Sequence, residues 1–174
     1  LSDLFSAITG AIGTLRGPLH GGANEAAMEL IEKFQTPEEA EAGIMEMLSS
    51  KALIMGFGHR VYSISDPRNE VIKGWAKQLS EANGDTVLYP VSERIEQVMW
   101  REKKLFPNLD FYSASVYHFL GIPTEMFTVM FALGRLPGWI AQWSEMRKNN
   151  EPIGRPRQIY TGETYREFEN ISQR

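Results

Sequence analysis

Apolar residues recur at helical spacing along almost the whole of this 174-residue chain, and this periodicity limits the folds open to it. Ala27, Leu30, Ile31 and Phe34, for example, stand at positions i, i+3, i+4 and i+7, the spacing of one buried helix stripe. The alternation of apolar and polar residues that is typical of strands is almost absent. The pattern therefore predicts an all-α protein.

Two of the predicted helices begin with the same start signal. Thr36 is followed by Pro37 and by Glu39, the pattern of a capping box with proline in the first turn. Asp66 and Pro67 repeat that signal, and Asn83-Gly84 is expected to end the helix that they begin. Its predicted inward face consists of Val71, Ile72, Trp75, Ala76 and Leu79. The other helices are predicted at about 3–15, 25–35 with Asn24 as N-cap, 91–104 and 111–120.

The most apolar part of the chain is Met126–Trp143, and we expect a break in it at Pro137. A segment that is apolar on most faces belongs in the middle of a large body or at a subunit interface. Leu53–Met55 is a short apolar run that could be a strand or an extended loop.

Composition excludes several classes of protein. The formal net charge of −4 offers no general attraction to nucleic acid or to an anionic membrane, so neither is an expected partner. The absence of cysteine excludes disulfides and thiolate metal sites, and favours a reducing compartment. No apolar run approaches the roughly 20 residues of a membrane span, and no leader pattern is seen. Because Leu1 already lies in an apolar pattern, we expect the chain to be part of something longer.

Two histidines stand in glycine-rich contexts. His20 lies between Pro18 and the pair Gly21-Gly22, and His59 follows Gly58. Such backbone is not plain helix, so these side chains should be presented to a site. The alternative is that both are loop histidines satisfied by backbone carbonyls. His118 has no such context, and three histidines without a close pair do not form a zinc site.

Five motifs together resemble the successive active-site motifs of the citrate synthase family, in the order in which the family has them. They are Gly17–Asn24, Gly56–Tyr62, Asp66–Arg68, Asn108–Ser113 and Arg155–Gly162. Within the family, Met99-Trp100, Lys103–Asn108 and Pro123–Thr128 are most similar to the 2-methylcitrate synthase branch. Ala114, where many citrate synthases have glycine, sides with that branch.

The resemblance implies the C-terminal part of a citrate-synthase-like helical fold, with a complete small domain and part of the large one. Residues 1–22 would be a large-domain helix and hinge, 23–120 the small domain, and 121–174 the return to the large domain with an extended tail. A further oxaloacetate-binding histidine and most of the large domain, which family members carry upstream, are not in this sequence. The implied assembly is a homodimer with shared active sites, in the cytoplasm, or in the mitochondrial matrix of a eukaryote.

The implied reaction is a Claisen-type condensation of propionyl-CoA or acetyl-CoA with oxaloacetate, followed by thioester hydrolysis. Acyl-CoA is then a co-substrate, and no resident cofactor or metal is expected. The resemblance assigns the following roles: Asp110 as base, His20 as donor to the thioester oxygen and His59 as donor to the ketone oxygen. It further assigns Arg68, Arg135 and Arg155 as carboxylate-binding residues, and Gly56, Phe57 and Gly58 as the CoA loop.

Several alternatives remain open. Asp110 could be the N-cap of the helix that begins at Phe111, and Arg68 could be a solvated first-turn residue. Arg157 competes with Arg155, from which only the motif register separates it. The acyl group could be acetyl, as in citrate synthase proper. The 174-residue chain could also be a non-catalytic helical module that folds or associates without turnover.

Overall fold

The structure is a computed structural model that describes residues 2–155, 157–168 and 170–173. The described residues form seven α-helices and no strand, as the periodicity predicts. The helices are α1 (Leu4–Leu15), α2 (Ala23–Ile31), α3 (Pro37–Ser49), α4 (Pro67–Asn83), α5 (Leu88–Lys103), α6 (Leu109–Phe119) and α7 (Phe127–Lys148). Short 3-10 turns lie at Thr124–Met126 and Ile171–Gln173.

Helices α2 to α6 enclose one apolar core, and we call residues 23–119 the helical body. Helix α6 packs against α2 and α4, and α3 packs against α5. The largest fully buried apolar side chains of this core are Tyr112, Phe111, Phe127, Met28, Ile31, Ile44 and Ile95. Since Phe127 is the first residue of α7, the core extends slightly beyond the predicted small-domain boundary at 120. The division into two domains stays a prediction.

The two proline-containing helix starts are confirmed. The Thr36 side chain accepts a hydrogen bond from the Glu39 amide over 3.2 Å, while the Glu39 carboxylate accepts from the Gln35 amide over 2.9 Å. Asp66 caps α4, and Gly84 ends that helix in the left-handed conformation. The prediction for Asn24 was wrong, because α2 begins two residues earlier than predicted, at Ala23 with Gly22 as N-cap, so Asn24 lies buried within the helix.

The inward face of α4 was only partly predicted. Ala76 is fully buried, and Ile72 and Leu79 pack against the core, but Val71 is 65% and Trp75 55% exposed. The buried stripe follows positions 69, 72, 76 and 80, and a residue one position earlier is turned by about 100° from it. Val71 and Trp75 therefore face away from the core.

Helices α1 and α7 pack against each other outside the helical body, and we call them the outer pair. The predicted break at Pro137 was wrong, because α7 is one continuous helix of 22 residues with Pro137 in its middle. Despite its apolar sequence, only Phe127 of α7 is fully buried, and Val129, Leu133, Ile140 and Met146 are exposed.

The run Leu53–Met55 is an extended loop and not a strand. It leads into an isolated antiparallel bridge between Phe57 and Pro107, which holds the Gly56–Gly58 loop against the segment before α6. Among the residues that the structure describes, no helix has the length and apolar character that crossing a membrane requires.

Candidate active site

His20 lies on a tight loop between α1 and α2. The loop is held by backbone hydrogen bonds from Gly21 to Leu15 and from Gly22 to Gly17, both 2.9 Å long. A Cβ atom at Gly21 would stand 2.7 Å from the Leu15 side chain, so only glycine fits there. The His20 side chain is exposed, and its ring contacts the Phe131 ring of α7 edge-on, with 5.7 Å between centroids. The prediction that His20 is presented on an irregular loop is thus confirmed.

His59 lies on the loop after Gly58 and is exposed. Its Nδ1 accepts hydrogen bonds from the backbone amides of Val61 and Tyr62, at 3.0 and 3.1 Å. Because two N–H groups point at Nδ1, the proton of the neutral ring lies on Nε2. The ring also stacks on Tyr62, 4.5 Å between centroids. His59 therefore offers an oriented N–H donor at Nε2.

Arg68 lies beside that donor. Its Nη2 is 3.5 Å from His59 Nε2, and both atoms are donors in this tautomer. Two neighbouring donors of this kind suit an anionic oxygen placed between them. Arg68 is not a simple solvated first-turn residue, because its guanidinium pairs with Asp66 through two hydrogen bonds of 2.9 and 2.8 Å.

Asp66 connects two helix starts. Its buried carboxylate caps α4 by accepting from the Arg68 amide at 3.0 Å, and it also accepts from the Leu109 amide at the start of α6, at 3.2 Å. The hydrogen bond from the Arg68 side chain is the main cause that lowers the pKa of the Asp66 carboxyl. Asp66 remains ionised at neutral pH and holds Arg68 and α6 together.

Asn108 connects the glycine loop to α6. Its side chain donates to the Gly58 carbonyl and accepts from the Asp110 amide, each over 3.0 Å. Asn108, and not Asp110, is therefore the N-cap of α6, and the alternative role considered for Asp110 was wrong. Gly56 adopts φ +89°, and a Cβ there would stand 2.8 Å from the Phe111 ring, so the loop can lie against α6 only with glycine at 56.

Asp110 lies in the first turn of α6 and is partly buried. Burial raises the pKa of its carboxyl above the ordinary value, while the charge of Arg68, and those of His20 and His59 when their rings are protonated, act against that rise. These charges act because the fold brings together groups from the loops and helices around positions 20, 59, 68 and 110. A carboxylate of raised basicity beside two imidazoles and a guanidinium can accept a proton from a weak carbon acid while the donors stabilise the oxyanion that forms.

The other predicted site residues lie outside this cluster. Arg135 is on α7 with its guanidinium over the Phe131 ring, 4.9 Å from the ring centroid, and the same ring contacts His20. Arg155 is exposed on the C-terminal segment, as is Arg157. Within the described parts of the chain, no hydrogen bond or ion pair joins Arg135, Arg155 or Arg157 to His20, His59 or Asp110. The motif Arg155–Gly162 includes Pro156, which lies outside the described residues.

The Gly56–Gly58 loop lies next to the cluster, between the start of α6 and His59. Phe57 is half-buried and packs on Phe111, with 4.7 Å between ring centroids. The structure thus shows why this loop needs its glycines for packing. Its contact with CoA stays a prediction.

Sequence reasoning missed the supporting residues. Asp66 was taken only as a helix start, and its contact with Leu109 spans 43 positions, so no local pattern indicates it. For Asn108, a local signal existed, since asparagine two residues before an acidic residue at a helix start is typical of an N-cap. Among the described residues, no three His, Asp or Glu side chains are grouped so that they could hold a metal ion.

The fold and the cluster define an all-helical protein with a partly buried carboxyl among donors carried by two loops and one helix. Residues 1–157 match the family described as "Citrate synthase, C-terminal domain". The chain belongs to the citrate synthase family.

Relatives named 2-methylcitrate synthase and relatives named citrate synthase are both similar to this chain. It is 52% identical over its full length to a 2-methylcitrate synthase of Shewanella oneidensis and 49% identical to citrate synthase 2 of Bacillus subtilis. It covers 46% of each, so it spans about half the length of these relatives. The fold matches citrate synthase of Thermoplasma acidophilum, solved as a ternary complex with carboxymethyl coenzyme A and oxaloacetate, with a TM-score of 0.86 and 36% identity over 99% of this chain and 47% of that one. The predicted fold class is thus confirmed.

Proposed function

We propose that this chain is the C-terminal part of an enzyme that condenses a short acyl-CoA with oxaloacetate and then hydrolyses the thioester. The observation that carries the proposal is the partly buried Asp110 carboxyl, whose pKa is raised by burial and which lies close enough to Arg68, His20 and His59 for these groups to influence that pKa. A weakly acidic C–H next to a thioester needs a base whose own basicity is increased and a donor on the oxygen that gains charge. The cluster supplies both.

In this proposal, the carbon next to the thioester carbonyl loses a proton to Asp110, and the electron pair of that C–H bond forms the enol double bond. His20 donates to the thioester oxygen as charge moves there. The enol carbon then attacks the ketone carbon of oxaloacetate, and the ketone oxygen takes up a proton at His59 Nε2. The hydrogen bonds at Nδ1 support this assignment, because they leave the proton of the neutral ring on Nε2. Water finally cleaves the thioester bond and releases CoA.

Substrate binding is proposed for the arginines and the glycine loop. Oxaloacetate carries two carboxylates, and guanidinium groups bind carboxylates through paired hydrogen bonds. Arg68 is already oriented for this by Asp66, and Arg135 and Arg155 would complete the site. Gly56, Phe57 and Gly58 would contact CoA, and no resident cofactor is proposed.

We further propose a homodimer in which the C-terminal segment of one subunit reaches the site of the other. The exposed apolar residues of α7 support an interface there, since monomers rarely expose large contiguous apolar patches. The proposed location is the cytoplasm, or the mitochondrial matrix in a eukaryote, which subcellular fractionation would test.

The acyl group is proposed to be propionyl, with acetyl as the alternative. Similarity to the 2-methylcitrate synthase of Shewanella oneidensis and Ala114 support propionyl. Ala114 is fully buried one turn after Asp110, so it would act through the packing of α6. One methylene changes selectivity by only about 1 to 3 kcal/mol, so the ratio of kcat/KM for the two thioesters, measured on the full-length protein, decides this point.

The general proposal is tested by CoA release from either thioester with oxaloacetate in the full-length protein. Asp110→Asn should lower kcat by at least about a hundredfold, the lower bound for losing a general base. Asp3→Asn, which changes an exposed carboxylate at the start of α1, is the matched control and should leave kcat unchanged. Wild-type protein without turnover on both thioesters, or an active Asp110→Asn variant, would disprove the proposal. The 174-residue chain alone is expected to be inactive.

A further inference from the structure

The loop that carries His20 is held from outside by α7. The Thr128 hydroxyl lies 3.2 Å from the carbonyl oxygen of Gly21, the residue directly after His20, and shares its single proton between that carbonyl and the Glu25 carboxylate. The other bonds of the loop are internal, between Leu15 and Ala23. Thr128 is therefore a contact through which a distant helix can set the position of the loop, and 107 positions separate it from Gly21.

Glu25 in the first turn of α2 holds Thr128 in turn. Its carboxylate accepts from the Thr128 amide at 2.9 Å and forms a second hydrogen bond with the Thr128 hydroxyl. The negative charge of this carboxylate lies at the N-terminal end of α7, where the helix dipole stabilises it. Because α2 begins directly after the His20 loop, Glu25 and Thr128 join the C-terminal end of the loop and the start of α2 to one point on α7.

The same helix also contacts the His20 ring. Phe131 follows Thr128 by three residues, so the two side chains lie on one face of α7. Phe131 meets the His20 ring at 5.7 Å between centroids with an interplanar angle of 74°. The register in which Thr128 fixes α7 against the loop thus also determines where Phe131 meets the imidazole.

We propose that Thr128 and Glu25 are positioning residues that hold the His20 imidazole in place for its reaction. This inference rests on the proposed function, in which His20 donates to the thioester oxygen. A displacement of about 1 Å in a reacting group can cost as much as a hundredfold in rate, so loss of the hydroxyl should reduce kcat more than it affects binding.

The test uses the full-length protein with Thr128→Val and Thr128→Ser. Valine keeps the shape of threonine and removes the hydroxyl, and we expect kcat per folded protein to fall by about tenfold to a hundredfold, with KM for oxaloacetate within about twofold. Serine restores the hydroxyl and should return kcat to within about threefold of wild type. Thr9→Val is the matched control, because the Thr9 hydroxyl donates to a carbonyl, that of Phe5, within α1. It should leave kcat unchanged.

A double-mutant cycle separates positioning from general support of the fold. In a His20→Ala background, Thr128→Val should lower kcat by less than about twofold, because there is no imidazole left to position. An equal fall in both backgrounds would overturn the proposal, as would an unchanged kcat in Thr128→Val or a folded Thr128→Ser protein as slow as Thr128→Val. If Thr128→Val does not fold, Glu25→Gln and Glu25→Ala replace it: glutamine keeps the acceptor and should be near wild type, and alanine should not.

The single variant His20→Ala distinguishes failure of the proposed function of His20 from failure of the positioning role of Thr128. If it leaves kcat unchanged, the proposed function of His20 is disproved. If it lowers kcat while Thr128→Val does not, only the positioning role fails.

Discussion

The outer pair is more apolar in sequence than the helical body, but far less of it is buried. In the body, Ile95, Ile44 and Phe111 are completely buried. On α7, Leu133 is 56% and Ile140 37% exposed. The body encloses its own core, whereas α7 needs a further surface to cover it. The body also holds His59, Arg68 and Asp110, while His20 and two of the predicted arginines lie outside it. The chemistry is therefore proposed to be assembled between a self-sufficient part and a part that depends on other contacts.

The largest expected effect concerns the C-terminal segment, which lies outside the helical body. Arg155→Ala in the full-length protein should weaken oxaloacetate binding by about 2 to 5 kcal/mol, the range for removing one partner of a buried charge pair. The measurement is KM and a direct binding constant for oxaloacetate. Arg157→Ala is the matched control and should bind normally, and the reverse result would transfer the role to Arg157.

Mixing two inactive variants tests whether Arg155 acts at the site of its own subunit or at that of the neighbouring subunit. If Arg155 serves the neighbouring subunit, an Arg155→Ala chain and a His20→Ala chain should regain activity when their subunits exchange, since a mixed dimer gathers both lesions at one site and leaves the other site intact. A mixture that stays inactive after demonstrated exchange would contradict the shared site.

The next largest effect is expected for isoleucine, which can be replaced both in the helical body and on α7. Ile95→Ala in the body should lower the free energy of unfolding by about 3 kcal/mol through loss of buried surface and cavity formation. Ile140→Ala on α7 should change it by less than about 0.5 kcal/mol in the 174-residue chain. Denaturant titrations measure both. In the full-length protein we expect a larger cost for Ile140→Ala that depends on protein concentration, if α7 lies in a subunit interface. Equal losses of unfolding free energy for Ile95→Ala and Ile140→Ala in the 174-residue chain would contradict the difference in burial between the two regions.

A smaller effect concerns the carboxylate that joins two helix starts of the body. Asp66→Asn should lower the free energy of unfolding by about 2 kcal/mol, because hydrogen bonds to charged groups contribute roughly that much to stability. The pKa of Asp66 is lower in the folded state, so its contribution is complete above the ordinary carboxyl range near about 4 and is lost as pH falls through the folded value. Wild type and Asp66→Asn should therefore approach the same stability in acid. A constant difference down to strongly acidic pH would contradict this explanation.

The smallest effect has the opposite sign. The pKa of Asp110 is raised in the folded state, so stability from this group is present below about pH 4 and is lost as pH rises through the folded value. Asp110→Asn should accordingly be slightly more stable than wild type at pH 7, by less than Asp66→Asn loses, while losing activity. Thermal unfolding at pH 7 and pH 4 measures the difference, which should shrink at the lower pH. A less stable Asp110→Asn protein at pH 7 would show that the carboxylate is well satisfied where it lies.

The sequence by itself determined the features that depend on neighbours within a few positions. Thr36 and Asp66 cap their helices as predicted, since capping bonds join residues two or three apart. The glycine contexts of His20 and His59 likewise predicted loops, because glycine and proline restrict the backbone locally. The helical periodicity predicted the fold class for the same reason.

Only the tertiary structure decided which of these features meet. Burial of Asp110, the contact of Asp66 with Leu109 and the contact of Thr128 with Gly21 join segments far apart in the chain. The exposure of Val71, Trp75 and most of α7 was decided in the same way. An apolar residue is buried only if another element covers it, and a pKa shifts only through the charges and solvent that packing places around it. These are properties of the assembled helices, which no local pattern contains.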